Sequence, residues 1–185
     1  MSDSLHARLR EATQVAHEAL ERDLDWEARV ATLPGYRDLL VRLRGFHAAY
    51  EPAIAAALAD AAFFDPRRRL AGLDADLHAL DGAALGTQPM PAAPRLDGAG
   101  AALGALYVLE GSTLGGAVIG RHVARLHGEG VPLAYYAGRG RATGPLWREF
   151  RERLDGVPEA EAATAFAAGI ATFEAMRGWL TTSEG

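Results

Sequence analysis

The chain has 185 residues, enough for one domain with a sizeable core and short for two. A composition of 49% hydrophobic and 23% charged residues argues against disorder, and a formal net charge of -5 disfavours a general nucleic-acid binder. Cysteine is absent, which excludes disulfides, cysteine zinc sites, iron-sulfur clusters and thiolate ligation, so any metal must be held by histidine, carboxylate or backbone groups.

Period-2 strand patterns are scarce and helical patterns recur, so the sequence predicts an all-α fold forming a single domain over residues 1–185. The chain turns directly into a polar amphipathic helix, with Leu5, Leu9, Ala12, Ala16 and Leu20 as its apolar stripe. No basic segment leads into an apolar run there, and the default expectation is a cytoplasmic protein. After Leu33-Pro34-Gly35 a second stripe runs through Leu40, Leu43, His47, Tyr50, Ile54 and Leu58, with Pro52 expected to kink or restart the helix. Asp65-Pro66 reads as the next start, the aspartate as cap, followed by Leu70, Leu73, Leu77 and Leu80, with Gly82 as the stop. From Gly82 to Gly98, with Gly86, Pro89, Pro91 and Pro94, an irregular surface connection is expected. A long helix from about Gly100 to His127 follows, then an irregular stretch from Pro132 to Gly144. Thr143 and Pro145 open a short helix through Leu154, and a last helix from Pro158 to Leu180 carries Phe166, Ile170, Phe173 and Leu180 on one face.

Two features stand out from this framework. At helical spacing Arg10, Thr13 and Glu21 fall on the same side of the first helix as His17, at the edge of its apolar stripe. An imidazole, a carboxylate able to polarise it and a distant cation suit a metal carried on a large anionic ligand; the alternative is a histidine that caps the rim of a packed helix. Of the other histidines, His47 reads as a hydrogen-bonded core residue, and His6, His78, His122 and His127 as surface or helix-end residues.

The second feature is Tyr107-Val108-Leu109-Glu110-Gly111-Ser112-Thr113-Leu114-Gly115-Gly116 within the long helix. Interior glycines cost about 1 kcal/mol each relative to alanine, so three of them call for a reason. Three readings compete: a membrane span, because Glu110 is the only charge from Gly98 to Gly120; close packing of two helices; and a flat cofactor lying against bare backbone. A charge near the bilayer centre and the missing aromatic belt weigh against the first. A phosphate loop is disfavoured, since no predicted strand precedes the glycines and no Gly-Lys-Ser/Thr completes them.

Taken together, Leu9-x-x-Ala12-Thr13-x-x-x-His17-x-x-x-Glu21, the glycine run at 111–116, Leu133-Ala134-Tyr135-Tyr136, and Thr164-Ala165-Phe166 with Ile170 and Phe173-Glu174 resemble the haem oxygenases, in the family's order and over most of the chain. The glycine run is most similar to bacterial members that accompany bacteriophytochromes. The resemblance implies a helical fold with haem b, both substrate and cofactor, between the first helix and the glycine-rich helix. It makes His17 the iron ligand, with Glu21 orienting the imidazole, Arg10 pairing with one propionate, and Arg148 and Arg151 as candidates for the other. Thr13, Tyr107, Tyr136, Phe166 and Phe173 would line the haem, and Gly111, Ser112, Gly115 and Gly116 would form the catalytic wall on its dioxygen-binding side. Animal members have aspartate where Ser112 stands, anchoring ordered water, and asparagine where Gly169 stands, so the anchoring here must differ. The activity implied is oxidation of haem to biliverdin, carbon monoxide and ferrous iron, with electrons from a ferredoxin or flavoprotein reductase and a bacteriophytochrome as consumer of the bilin. A non-catalytic haem carrier or sensor on the same scaffold, or a helical interaction module without haem, are the competing expectations.

Overall fold

The computed structural model describes residues 4–82 and 89–182. Ser4 opens α1 (Leu5–Leu24), its hydroxyl accepting from the Ala7 amide at 3.2 Å, and Asp25 ends it in a left-handed conformation with φ 42°. The same Asp25 carboxylate caps the single-turn α2 (Trp26–Arg29). Thr32 caps α3 (Leu33–Leu58) through the Gly35 amide at 3.2 Å, with Pro34 in the first turn, and Asp60 caps α4 (Ala61–Phe64). There follow α5 (Leu70–Asp81), stopped by Gly82 at φ 64°, then α6 (Gly98–His127), α7 (Thr143–Asp155) and α8 (Glu159–Thr181). No strand occurs among the described residues.

Two expectations need correction. Asp65-Pro66 does not start α5: residues Asp65–Arg67 form one turn of 3-10 helix, and α5 begins separately at Leu70 with Arg69 as an N-cap that has no side-chain bond. Its first amides are satisfied from a distance, because Glu51 of α3 accepts from the Arg69 amide at 2.8 Å and the Leu70 amide at 3.1 Å. Nor does Pro52 restart α3, which is continuous, with Pro52 on its exposed side. Of the expected irregular connection, residues 89–97 have no regular structure and 83–88 lie outside the described residues.

Packing centres on α8, which lies most extensively against α6 and α1. Close approach there requires glycine. A Cβ at Gly104 of α6 would run into the Ala165 carbonyl of α8, and one at Gly169 of α8 would come within 3.1 Å of Leu9 Cδ1 and Thr13 Cγ2. Gly169 is thus a packing residue of the three-helix junction. From the other side α3 packs on α6 and α5, and α7 closes against α1 and α6. The fully buried Leu9, Leu39, Leu40, Phe46, Ile54, Leu103, Leu106 and Phe150 join these helices into one core. Although α6 is long and apolar enough to cross a membrane, Ala101, Ala102, Leu103, Ala105, Leu106, Val108 and Leu109 are all buried inside the protein. Over residues 101–109 its apolarity is explained by its place in the core.

Gly104→Ala is expected to lower stability by about 1–3 kcal/mol through overpacking, despite the better helix propensity of alanine. Urea unfolding measures this, and unchanged stability would contradict the tight α6–α8 crossing.

Candidate functional site

Between α1 and the glycine-rich part of α6 lies a cavity of about 910 Å³, near the upper end of the roughly 300–1,000 Å³ usual for small-molecule sites. The α1 wall presents His6, Arg10, Thr13, His17 and Glu21; the α6 wall presents Tyr107, Gly111, Ser112, Gly115 and Gly116. Phe173, Met176 and Leu180 of α8, Leu39 and Leu43 of α3, and Tyr135 and Tyr136 also line it.

His17 is half exposed, its ring 5.2 Å from that of Phe173, and its Nε2 lies 3.3 Å from Glu21 Oε1 one turn on. Among the described residues no group of three or more histidine, cysteine, aspartate or glutamate side chains could hold a metal ion. A free ion asks for three or more protein donors, whereas a porphyrin iron brings four nitrogens and asks for one. One imidazole backed by a carboxylate therefore fits haem better than it fits a bare metal.

Opposite, Gly111 and Gly115 have open space where a Cβ would be. Gly116 differs, because its missing side chain leaves room for the Tyr136 ring, 3.3 Å from an ideal Cβ, and Gly120 serves the same ring. The turn is held from behind by two arginines, Arg69 buried and Arg139 partly buried. Arg139 donates to both Glu110 oxygens at 2.7 and 3.3 Å, and Arg69 donates to Thr113 Oγ1 at 2.7 Å and to the Tyr135 carbonyl.

A polar chain runs inward from the wall. Ser112 donates to the Leu109 carbonyl at 2.7 Å, and its hydroxyl opposes the rise that burial imposes on the Tyr135 phenol. The Tyr135 hydroxyl is 3.2 Å from His47 Nε2, and His47 Nδ1 is 2.9 Å from Glu51 Oε1. Since Glu51 accepts at Nδ1, a neutral His47 offers its Nε2 lone pair to Tyr135. Burial pushes the Tyr135 and Tyr136 phenols up, and it does the same to Tyr107 against the opposing effects of Thr13 and Arg10. All three are neutral hydrogen-bonding groups at neutral pH.

Of the residues proposed from sequence, Arg10, Thr13, His17, Glu21, Tyr107, Gly111, Ser112, Gly115, Gly116, Tyr136 and Phe173 surround this one cavity. Three do not line it. Phe166 is half-buried beneath the Arg8 guanidinium, 5.3 Å from its ring centre, and Arg148 and Arg151 are exposed on α7. Arg151 still bears electrostatically on His6. His47 is fully buried and hydrogen-bonded as expected. His6, read as a surface or helix-end residue, does lie in the first turn of α1 and also lines the cavity, with Trp147 and Trp26 as further unexpected members. A signal for His6 was present: it precedes His17 by three helical turns and so shares its face.

Fold and cavity define a helical protein with room for a flat ligand between an imidazole and a bare turn of helix. The chain belongs to the haem oxygenase family, whose sequence model matches residues 3–181. Comparison with curated proteins finds no significant match. Among solved structures the fold is similar to the haem oxygenase from Leptospira interrogans, at 18% identity and TM-score 0.75, covering 97% of this chain and 99% of that one. It is also similar to the NO- and CO-bound haem oxygenase from Neisseria meningitidis, at 21% identity and TM-score 0.73, covering 97% and 91%.

Because nothing fills the space beside Gly111 and Gly115, alanine at either position should stabilise the ligand-free protein by about 0.5–1 kcal/mol. Urea unfolding of the two variants checks this, and a loss comparable to that of Gly104→Ala would mean that these glycines are packing residues too.

Proposed function

We propose that this protein cleaves haem b with dioxygen at a meso carbon, giving biliverdin, carbon monoxide and ferrous iron, with electrons from a donor such as a ferredoxin or flavoprotein reductase. The observation that carries this reading is the pairing, across one cavity, of His17 backed by Glu21 with the side-chain-free surface of Gly111 and Gly115. Bound haem supplies both the iron that activates dioxygen and the carbon skeleton that is cut.

In this reading His17 holds the iron, and Glu21 restrains the imidazole and strengthens it as a ligand. Arg10 pairs with a propionate at the cavity edge. Gly111 and Gly115 admit the macrocycle close to the backbone and leave little room above it, which selects the edge that reacts. Ser112 takes the place of the aspartate of animal members without adding a charge. Proton delivery then rests on Ser112 in the wall and on Tyr135 behind it, whose neutral hydroxyl lies against His47, itself held by Glu51. The biliverdin would serve as a bilin chromophore, for which a bacteriophytochrome is the natural consumer, and the setting would be cytoplasmic.

Titration of the protein with haem should give a Soret complex, and reductant with dioxygen should replace that band by biliverdin absorption. A Soret band that persists unchanged would make the protein a haem carrier; no complex at all would remove haem from the picture. His17→Ala should abolish the native haem spectrum. Gly111→Ala should weaken haem binding, by about tenfold for a clash worth 1.4 kcal/mol, even as it stabilises the ligand-free chain. Tyr135→Phe should slow conversion by roughly a hundredfold while leaving haem affinity unchanged, a split that assigns the phenol to proton transfer.

A further inference from the structure

His6 occupies a corner of the cavity that the pairing of His17 with the glycines leaves without a task. Its imidazole stands edge-on to Tyr107, with ring centres 5.9 Å apart, and to Trp147, at 5.5 Å. These aromatic faces fix the ring from α6 and α7. Its backbone amide donates to Asp155 Oδ1 at 2.9 Å, while its ring nitrogens have no hydrogen-bond partner among the described residues. A half-buried imidazole with free nitrogens, facing a cavity, awaits a ligand group.

The charges around it define that group. Arg10, one turn further along α1, and Arg151 of α7 both act on the imidazole as positive charges, and Asp155 of α7 acts as the opposing negative one. Tyr107 of α6 is the remaining titratable neighbour, and its phenol is pushed up and so uncharged. Two cations with one nearby anion leave the corner net positive, suited to a carboxylate. Resting on the haem reading above, we infer that His6, with Arg10 beside it in the cavity lining, forms a proton-linked carboxylate site that receives a carboxylate-bearing edge of the tetrapyrrole and takes up a proton as it arrives, Arg151 adding positive charge from outside the lining.

The sign of the linkage follows from the same neighbours. In the empty cavity, burial first and then Arg151 and Arg10 hold the His6 imidazole below its ordinary value, against Asp155, so it is neutral at neutral pH. An incoming carboxylate offsets both guanidinium charges and offers an acceptor to the ring N–H. Protonation becomes favourable only in the complex. Binding of a carboxylate-bearing tetrapyrrole therefore strengthens as pH falls through the slightly acidic range, and release of the product, which keeps both carboxylates, is favoured as pH rises. Because His6 sits three turns from His17, it also fixes which way round the carboxylate edge lies relative to the iron ligand.

Metal-free protoporphyrin IX tests this without help from iron ligation, and Trp26 and Trp147 in the cavity lining report its binding by fluorescence quenching. The wild type, His6→Phe, which keeps an aromatic ring against Tyr107 and Trp147, and His6→Gln, which keeps a polar group that does not titrate, are compared from pH 5.5 to 8.5. His6→Phe should bind about tenfold more weakly than wild type at pH 5.5, equivalent to a one-unit rise in a single pKa on binding, and the ratio should shrink toward unity by pH 8.5. His6→Gln should lack the same pH-dependent gain. With protoporphyrin dimethyl ester the three proteins should bind alike at every pH. A wild-type to variant ratio independent of pH, or the same ratio for acid and ester, would overturn the inference. Failure of the haem reading shows separately, as loss of the Soret complex or of its dependence on His17.

Discussion

The site depends on α6 remaining helical through a turn in which its own side chains contribute little. Gly111, Gly115 and Gly116 together cost about 3 kcal/mol of helix stability relative to alanine. Contacts on the far side of the helix offset that cost. Glu110, almost wholly buried, forms a two-pronged pair with Arg139, and Thr113 accepts from buried Arg69. Tyr136 fills the space beside Gly116 and Gly120. The turn is thus bare toward the cavity and tied toward the core. That asymmetry lets the backbone form a wall close to a ligand without a side chain to hold it in place.

The same arginines link the wall to the rest of the fold. Arg69 also donates to the Tyr135 carbonyl and stacks over the Tyr135 ring, 4.7 Å from its centre, while its amide is held by Glu51. Glu51 therefore satisfies the start of α5, fixes His47 and helps place Arg69. Buried ion pairs are weak contributors to net stability, since desolvation cancels most of the Coulomb attraction, and Arg139 keeps an unpartnered Nε. Their value here is geometric. Each guanidinium spans two or more elements, so a shift of the glycine turn would break several bonds at once.

Much of this was legible in the sequence, and the reasons it stopped are physical. Helices with local stop signals were readable: Gly82 ends α5 where its residue type predicts. The start of α5 was not, because its cap, Glu51, belongs to another helix, and a local Asp-Pro signal stood five residues too early. His17 and Glu21 were readable because one helix carries both, and their spacing alone brings them together. Gly111 and Gly115 were readable as a gap. That Gly116 instead serves Tyr136 depends on a chain segment twenty residues on, which periodicity cannot place.

Phe166 and His6 show the limit from opposite sides. Phe166 lies on the same helix as Phe173, seven residues earlier and hence two turns away on nearly the same face, yet Arg8 and not the cavity covers it. The cavity is shorter than α8, so a shared face does not imply a shared environment. His6 is likewise remote from His17 along its helix, but α6 and α7 bring Tyr107 and Trp147 across to it and extend the cavity that far. Helical spacing tells which residues can face one ligand; the crossing of neighbouring helices decides how many turns that ligand reaches. Here α1 contributes from His6 to Leu24, about five turns, or roughly 27 Å of helix axis. A span of that length suits a broad, flat ligand bound at one end through its charge and near the other through its centre, and it exceeds what a lone metal ion would require.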